Sequence, residues 1–140
     1  MTRKTAAAPM QVLPAWLRKS GLRPTRQRLA LASLLFAFGH RHVTAEQLHE
    51  EAIAAGVPVS LATIYNTLHQ FTAAGLLRSV TVEGSRSYFD TNTADHHHFY
   101  CEDGTLMDIE GSAITLSGLP PPPAGSTVER VEVIVRLKPR

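Results

Sequence analysis

The hydrophobic period of this chain changes once, at Gly75, and that change constrains the fold more than any other feature. Upstream of it, apolar residues recur at helical spacing; downstream they alternate. Leu13, Trp16 and Leu17 begin a short helix that stops at Gly21. Pro24 stands in a first helical turn, where proline is tolerated, and Thr25 to Phe38 follows as a strongly apolar helix ended by Gly39. Thr44 caps a helix over Ala45 to Ala55 with Leu48, Ala52 and Ile53 inward, and Gly56 closes it. Ser60 caps Leu61 to Ala74, which ends at Gly75. Leu77 to Val82 and Arg86 to Asp90 then flank Glu83-Gly84-Ser85, a pattern that predicts a β-hairpin. Three strong helical signals followed by a hairpin is the order of a winged helix-turn-helix, with the hairpin as the wing.

The rest of the 140 residues reads as a second, small α/β unit. Phe99 to Ile109 is strand-like and broken around Glu102-Asp103-Gly104, and Pro120 to Pro123 forms a stiff link. Arg130 to Leu137 alternates, with Val131, Val133, Val135 and Leu137 on one face; Ile134 interrupts the polar face, so this strand is expected to be covered on both sides. Ahead of all this, residues 1–12 form an Ala-rich, slightly basic arm that reads as flexible.

Charge is distributed unevenly. The formal net charge is only +2, yet no Asp or Glu precedes Glu46, while Arg3, Lys4, Arg18, Lys19, Arg23, Arg26, Arg28 and Arg41 all do. An acid-free, Arg-rich N-terminal third points to a polyanion partner, most simply nucleic acid. On the Ser60 to Ala74 helix, Leu61, Ile64, Leu68 and Phe71 make the buried stripe, and Ala62, Thr63 and Asn66 fall away from it with Tyr65 on its shoulder. These are small or hydrogen-bonding groups in the first two turns, the part of a recognition helix that reaches base edges. Asn66 is suited to an adenine, Tyr65 to a thymine methyl, and Ser60 at the helix N-terminus to a phosphate. Arg23, Thr25 and Arg26, with Arg28, are placed for backbone contacts, and Arg23 is within reach of a minor groove.

Three adjacent imidazoles, His96-His97-His98, are hard to explain as packing. Histidine ligates metals and haem iron. On an extended segment His96 and His98 share one side and His97 faces the other. The single cysteine, Cys101, excludes an intramolecular disulfide and any Cys-pair zinc site. The N-terminal stretch lacks the apolar core of a signal peptide, and no apolar run is long enough to span a bilayer, so the expectation is a cytoplasmic protein without membrane association. Enzyme chemistry is not expected: there is no His-Glu-x-x-His pair and no evident base beside the triplet.

From Gly21 onward the chain resembles the ferric uptake regulator (Fur) family. The resemblance is carried by Gly21-Leu22-Arg23-Pro24-Thr25-Arg26-Gln27-Arg28, by His42-Val43-Thr44-Ala45-Glu46-Gln47-Leu48 and by Ser60-Leu61-Ala62-Thr63-Ile64-Tyr65-Asn66-Thr67-Leu68. Within the family it looks most like the iron response regulators, on Tyr65 to Leu68, Tyr88 to Asn92, His96 to Tyr100 and Val133 to Leu137. The resemblance implies an α+β protein: a winged-helix DNA-binding domain over 13–90 and an α/β dimerisation and ligand-sensing domain over 91–140. Carried over position by position, the family's bridging metal site falls on His42, Asp90, His98 and Asp108, a set suited to Fe(II), Mn(II) or Zn(II).

The chain also departs from the family. The Cys-type structural zinc site is absent, because Cys101 has no partner cysteine, and no histidine follows His98 to complete a second metal site. The iron response regulator likeness implies a homodimer that holds an AT-rich double-stranded operator when iron is scarce and is released by haem bound at His96, His97 or His98. The alternative is a metal-corepressed Fur-type repressor sensing Fe, Mn or Zn through His42, Asp90, His98 and Asp108. A haem- or metal-binding protein that does not bind DNA is a more remote one.

Overall fold

The computed structural model describes residues 12–83 and 86–140. The expected arm, up to residue 11, and the hairpin tip at Gly84-Ser85 lie outside the described residues. The chain divides into two compact units, Met1–Thr93 and Ala94–Arg140. No helix among the described residues is long and apolar enough to cross a membrane.

The first unit is built from helices α1 (Leu13–Lys19), α2 (Arg26–Phe36), α3 (Ala45–Ala54) and α4 (Leu61–Ala73), with strands β1 (His42–Val43), β2 (Arg78–Glu83) and β3 (Arg86–Asp90). Each of the three longer helices starts at a hydroxyl cap: Thr25, Thr44 and Ser60 accept the amide N–H of Arg28, Gln47 and Thr63. At Thr44 the Gln47 side chain accepts the Thr44 N–H in return, a complete capping box. Thr44→Ala should lower stability by about 1 kcal/mol, read as a reduced urea midpoint at unchanged slope, with Thr44→Ser near wild type. A wild-type midpoint for the alanine variant would count against the cap. At the other end of α4, Gly75 adopts φ +83° so that the Leu76 amide reaches back to the Phe71 carbonyl. A left-handed position of this kind favours glycine, and it is where the helical period gives way to the alternating one.

The inward stripes meet in one core. Leu13 and Leu17, Leu31 and Leu35, Leu48, Ile64, Leu68, Phe71 and Phe89 are all essentially inaccessible. Trp16 packs edge-on against Phe36, ring centroids 4.7 Å apart, and Phe36 tilts onto Phe71. One expected core residue is not there: Ile53 is 55% exposed. Ala45, Leu48 and Ala52 are the residues through which α3 faces the core, and Ile53, one step past Ala52, is rotated off that stripe.

The wing strands pair antiparallel, and β1 adds to the free side of β3, giving the order β1-β3-β2. Two residues are too short for a sequence period to reveal, so β1 exists because of its partner. The Arg41 amide donates to Thr91 Oγ1 and the Thr91 amide to the Arg41 carbonyl, while the Arg41 guanidinium binds the Glu51 carboxylate and the Leu34 carbonyl. This anchor places His42 directly opposite Asp90.

The second unit is β-rich. Strand β4 (His96–Tyr100) is central, antiparallel to β5 (Leu106–Glu110) and parallel to β6 (Ile134–Arg136). Its helical part among the described residues is the 3-10 turn Gly111–Ala113. Gly111 has no room for a side chain, since a Cβ there would meet the Asp95 carbonyl oxygen at 2.7 Å. The chain from β4 to its parallel neighbour β6 passes through β5 and the Pro120–Pro123 stretch, long enough for the crossover that parallel pairing requires. The alternating segment 130–137 pairs over a shorter span than its pattern suggests. Val131 and Leu137, on one face of the segment, stay 39% and 41% exposed, and Ile134 on the other face is half-buried.

Candidate nucleic-acid face and metal-ligand clusters

Of the residues expected to meet DNA, several line one cleft of the first unit and the others do not. Arg23, Thr25, Thr63 and Asn66 line a shallow polar cleft between the start of α2 and α4, together with Gln27, Arg28, Thr67 and Gln70. Arg28 spans it, donating to the Arg23 carbonyl and to Gln70 Oε1, both at 3.0 Å. Gln27, Thr67 and Gln70 are the members that sequence reasoning missed; Gln70, four residues past Asn66 on the same helix face, is one the helical period would have found. Ala62 and Arg26 are exposed outside the cleft. Thr25 and Ser60, expected as DNA contacts, already accept a helix-capping N–H.

Tyr65 leans the other way, toward α3. Its hydroxyl donates to Glu46 Oε2 at 2.8 Å, its ring stacks on His69, and His69 stands edge-on to the buried Phe89. The hydrogen bond to Glu46, then burial and the Glu46 charge, hold the hydroxyl above its ordinary pKa, so it keeps its proton through the neutral range. Nineteen residues separate the two partners, and nothing local announces the contact.

Histidine and aspartate side chains come together in each unit. In the first, His42 Nε2 lies 3.3 Å from Asp90 Oδ2. Asp90 is inaccessible to solvent, and its other oxygen accepts the Asn92 amide at 2.9 Å. In the second, the strand alternation puts His96 and His98 on one side of β4, rings 4.5 Å apart. Both direct Nε2 at Asp108 Oδ1, from 3.3 and 3.5 Å, and Asp108 is the cross-strand partner of His98. His96 Nδ1 contacts the Ala94 carbonyl at 2.6 Å and must donate there. That leaves its Nε2 lone pair facing a carboxylate, an arrangement that needs a shared proton or a shared cation. Oriented imidazoles backed by a carbonyl, with carboxylate oxygen beside them, fit a divalent metal. His97 points to the opposite side and is occupied otherwise: its Nδ1 accepts the Val133 amide at 3.0 Å and so docks β6. The sequence placed His96 only among the haem candidates; its approach to Asp108 comes from the pairing of β4 with β5.

These features describe a winged-helix regulator fold with a β-rich unit appended, carrying histidine and aspartate in metal-ligand arrangement. The chain belongs to the ferric uptake regulator family, whose model matches residues 19–117. It is therefore one of a family of regulators, not of enzymes. Among curated proteins it is 39% identical over 98 residues to the peroxide-responsive repressor PerR of Staphylococcus aureus, covering 69% of this chain and 65% of that protein. The PerR of Staphylococcus epidermidis is also 39% identical, over 96 residues, 68% of this chain and 63% of that protein. The chain thus spans just under two-thirds of the length of these relatives. Among solved structures, the ferric uptake regulator of Pseudomonas aeruginosa with manganese superposes with TM-score 0.68 at 26% identity, over 90% of this chain and 96% of that one. That of Vibrio cholerae superposes with TM-score 0.68 at 24% identity, over 89% and 97%.

These relatives overturn one expectation. The likeness to the iron response regulators is not sustained, because the curated relatives named here are peroxide-responsive repressors. Of the segments that carry that likeness, Tyr65 to Leu68, Tyr88 to Asn92 and His96 to Tyr100 lie inside the stretch that matches the family as a whole, so they point to the family before any branch of it, and Val133 to Leu137 lies outside it.

Proposed function

We propose that the protein is a homodimeric winged-helix repressor whose binding to an AT-rich operator is promoted by a divalent metal held by His42, Asp90, His98 and Asp108. The observation that carries this reading is the pairing of imidazole with carboxylate at ligand spacing in each unit. Neither pair fills the coordination sphere of Fe(II), Mn(II) or Zn(II) by itself. An ion that drew on both would favour one relative orientation of the units. It would then act on DNA to the extent that the two reading helices of a dimer fit the duplex in that orientation. A metal held there would supply that bias, and the chain's own part is orientation, through the Asn92 amide on Asp90 and the strand register beneath His98. The manganese in the Pseudomonas aeruginosa relative supports a divalent ion of this kind. Release by haem loses its ground, since it rested on the branch corrected above.

The test is fluorescence anisotropy on a duplex selected from a random pool by the Mn(II)-loaded protein, at fixed salt because phosphate contacts make affinity steeply salt-dependent. Binding should strengthen by about tenfold to a hundredfold when chelator is replaced by Mn(II). Tight binding in chelator that Mn(II) leaves unchanged or weakens would reject the proposal. The peroxide-responsive relatives favour a second reading, a repressor that answers to peroxide. In that case hydrogen peroxide lowers the affinity of the metal-loaded protein for the duplex, and an unchanged affinity would reject it.

A further inference from the structure

We propose that Glu46 is a positioning residue for base readout: it fixes Tyr65 so that the aromatic ring, and not the hydroxyl, meets the DNA. This rests on the proposed role of α4 in reading DNA and names the chemistry of one contact within it. Glu46 is the first acidic residue of a chain whose preceding charges are all basic, and it is exposed in the first turn of α3. A carboxylate on a face that meets phosphates weakens every such contact, so its presence there asks for a compensating role.

The geometry supplies one. Tyr65 is held at both ends, its hydroxyl by Glu46 at 2.8 Å and its ring by His69, which rests on Phe89 in the core. The tyrosine has one hydroxyl proton and gives it to the carboxylate. It therefore offers neither base nor phosphate a donor. The residue remains 38% exposed, its ring held by these two contacts on the shoulder of the reading helix. An immobile apolar surface there is complementary to the thymine C5-methyl, the one major-groove feature of that base read without a hydrogen bond. Glu46 also sits favourably at the N-terminus of α3, but that role is local and does not depend on Tyr65.

The two roles separate in an experiment on the full chain loaded with Mn(II). The probe is the selected duplex with single thymines replaced by uracil, which removes only the methyl. Wild-type protein should lose about fourfold in affinity at the thymine that Tyr65 meets, the worth of one buried methyl. Glu46→Ala and Tyr65→Phe should each bring that ratio close to one, and the double variant should lose nothing further, because both remove the same tether. Glu46→Gln, whose amide oxygen still accepts from the hydroxyl, should retain the ratio. Thermal unfolding confirms that each variant is folded. A fourfold ratio that persists in Glu46→Ala, a loss that Tyr65→Phe does not share, or a wild-type protein that binds tightly yet ignores every uracil would overturn the assignment of Glu46 and leave DNA binding standing. A folded wild-type protein that binds no duplex would overturn the DNA-binding reading and this one together.

Discussion

Replacing His98 by alanine should abolish the response of DNA binding to Mn(II), moving the metal midpoint by about a hundredfold or more. Loss of an outer-shell partner alone typically costs ten- to a hundredfold in metal affinity, and His98 is proposed as a direct ligand. A second readout does not need DNA. A ligand that binds only the folded protein raises stability by about 2.7 kcal/mol at a hundred times its Kd, so Mn(II) should raise the wild-type melting temperature and leave that of His98→Ala unchanged. Because His98 is inaccessible on the central strand of its sheet, the variant will also be less stable without metal. The quantity that decides is therefore the metal-dependent increment. His97→Ala is the matched control. Its ring accepts the Val133 amide, so it should lose stability while keeping the metal midpoint. A His98→Ala protein that still responds at the wild-type Mn(II) concentration would remove His98 from the ligand set.

The other large effect is expected on the reading helix. Tyr65→Ala combined with Asn66→Ala should lower affinity for the selected duplex by about a hundredfold or more, since a bidentate base contact alone is worth about 1–3 kcal/mol. The α4 stripe of Ile64, Leu68 and Phe71 is untouched, so the fold should hold, with a loss of about 1–2 kcal/mol for the Tyr65 contacts to Glu46 and His69. Binding to unrelated DNA, carried by phosphate contacts, should fall far less, and the slope of affinity against salt should stay near wild type. Wild-type affinity for the selected duplex at fixed salt would mean that another surface reads the bases.

Much of the first unit is legible in the chain because its signals are local. Caps at Thr25, Thr44 and Ser60 and apolar stripes at three-four spacing involve neighbours within about a helical turn, and the structure has α2, α3 and α4 where they point. Helix ends differ by a residue or two, as expected where the last turn frays. Alternation likewise dictates that His96 and His98 share a face. The carboxylate partners were reached from the family resemblance, not from spacing.

What the tertiary structure alone decided are the contacts made across long stretches of chain. The strand at His42–Val43 has no period to read and exists through its pairing with β3. Asp108 meets His96 and His98 through the β4–β5 register, His97 is committed to Val133 thirty-six residues away, and Tyr65 is tethered to Glu46 on another helix. The physical reason is common to all of them. Propensity and periodicity act over a few residues, whereas a ligand set or a tethered side chain depends on which strand lies beside which and in what register, and only the packed core and the sheet hydrogen bonds determine that.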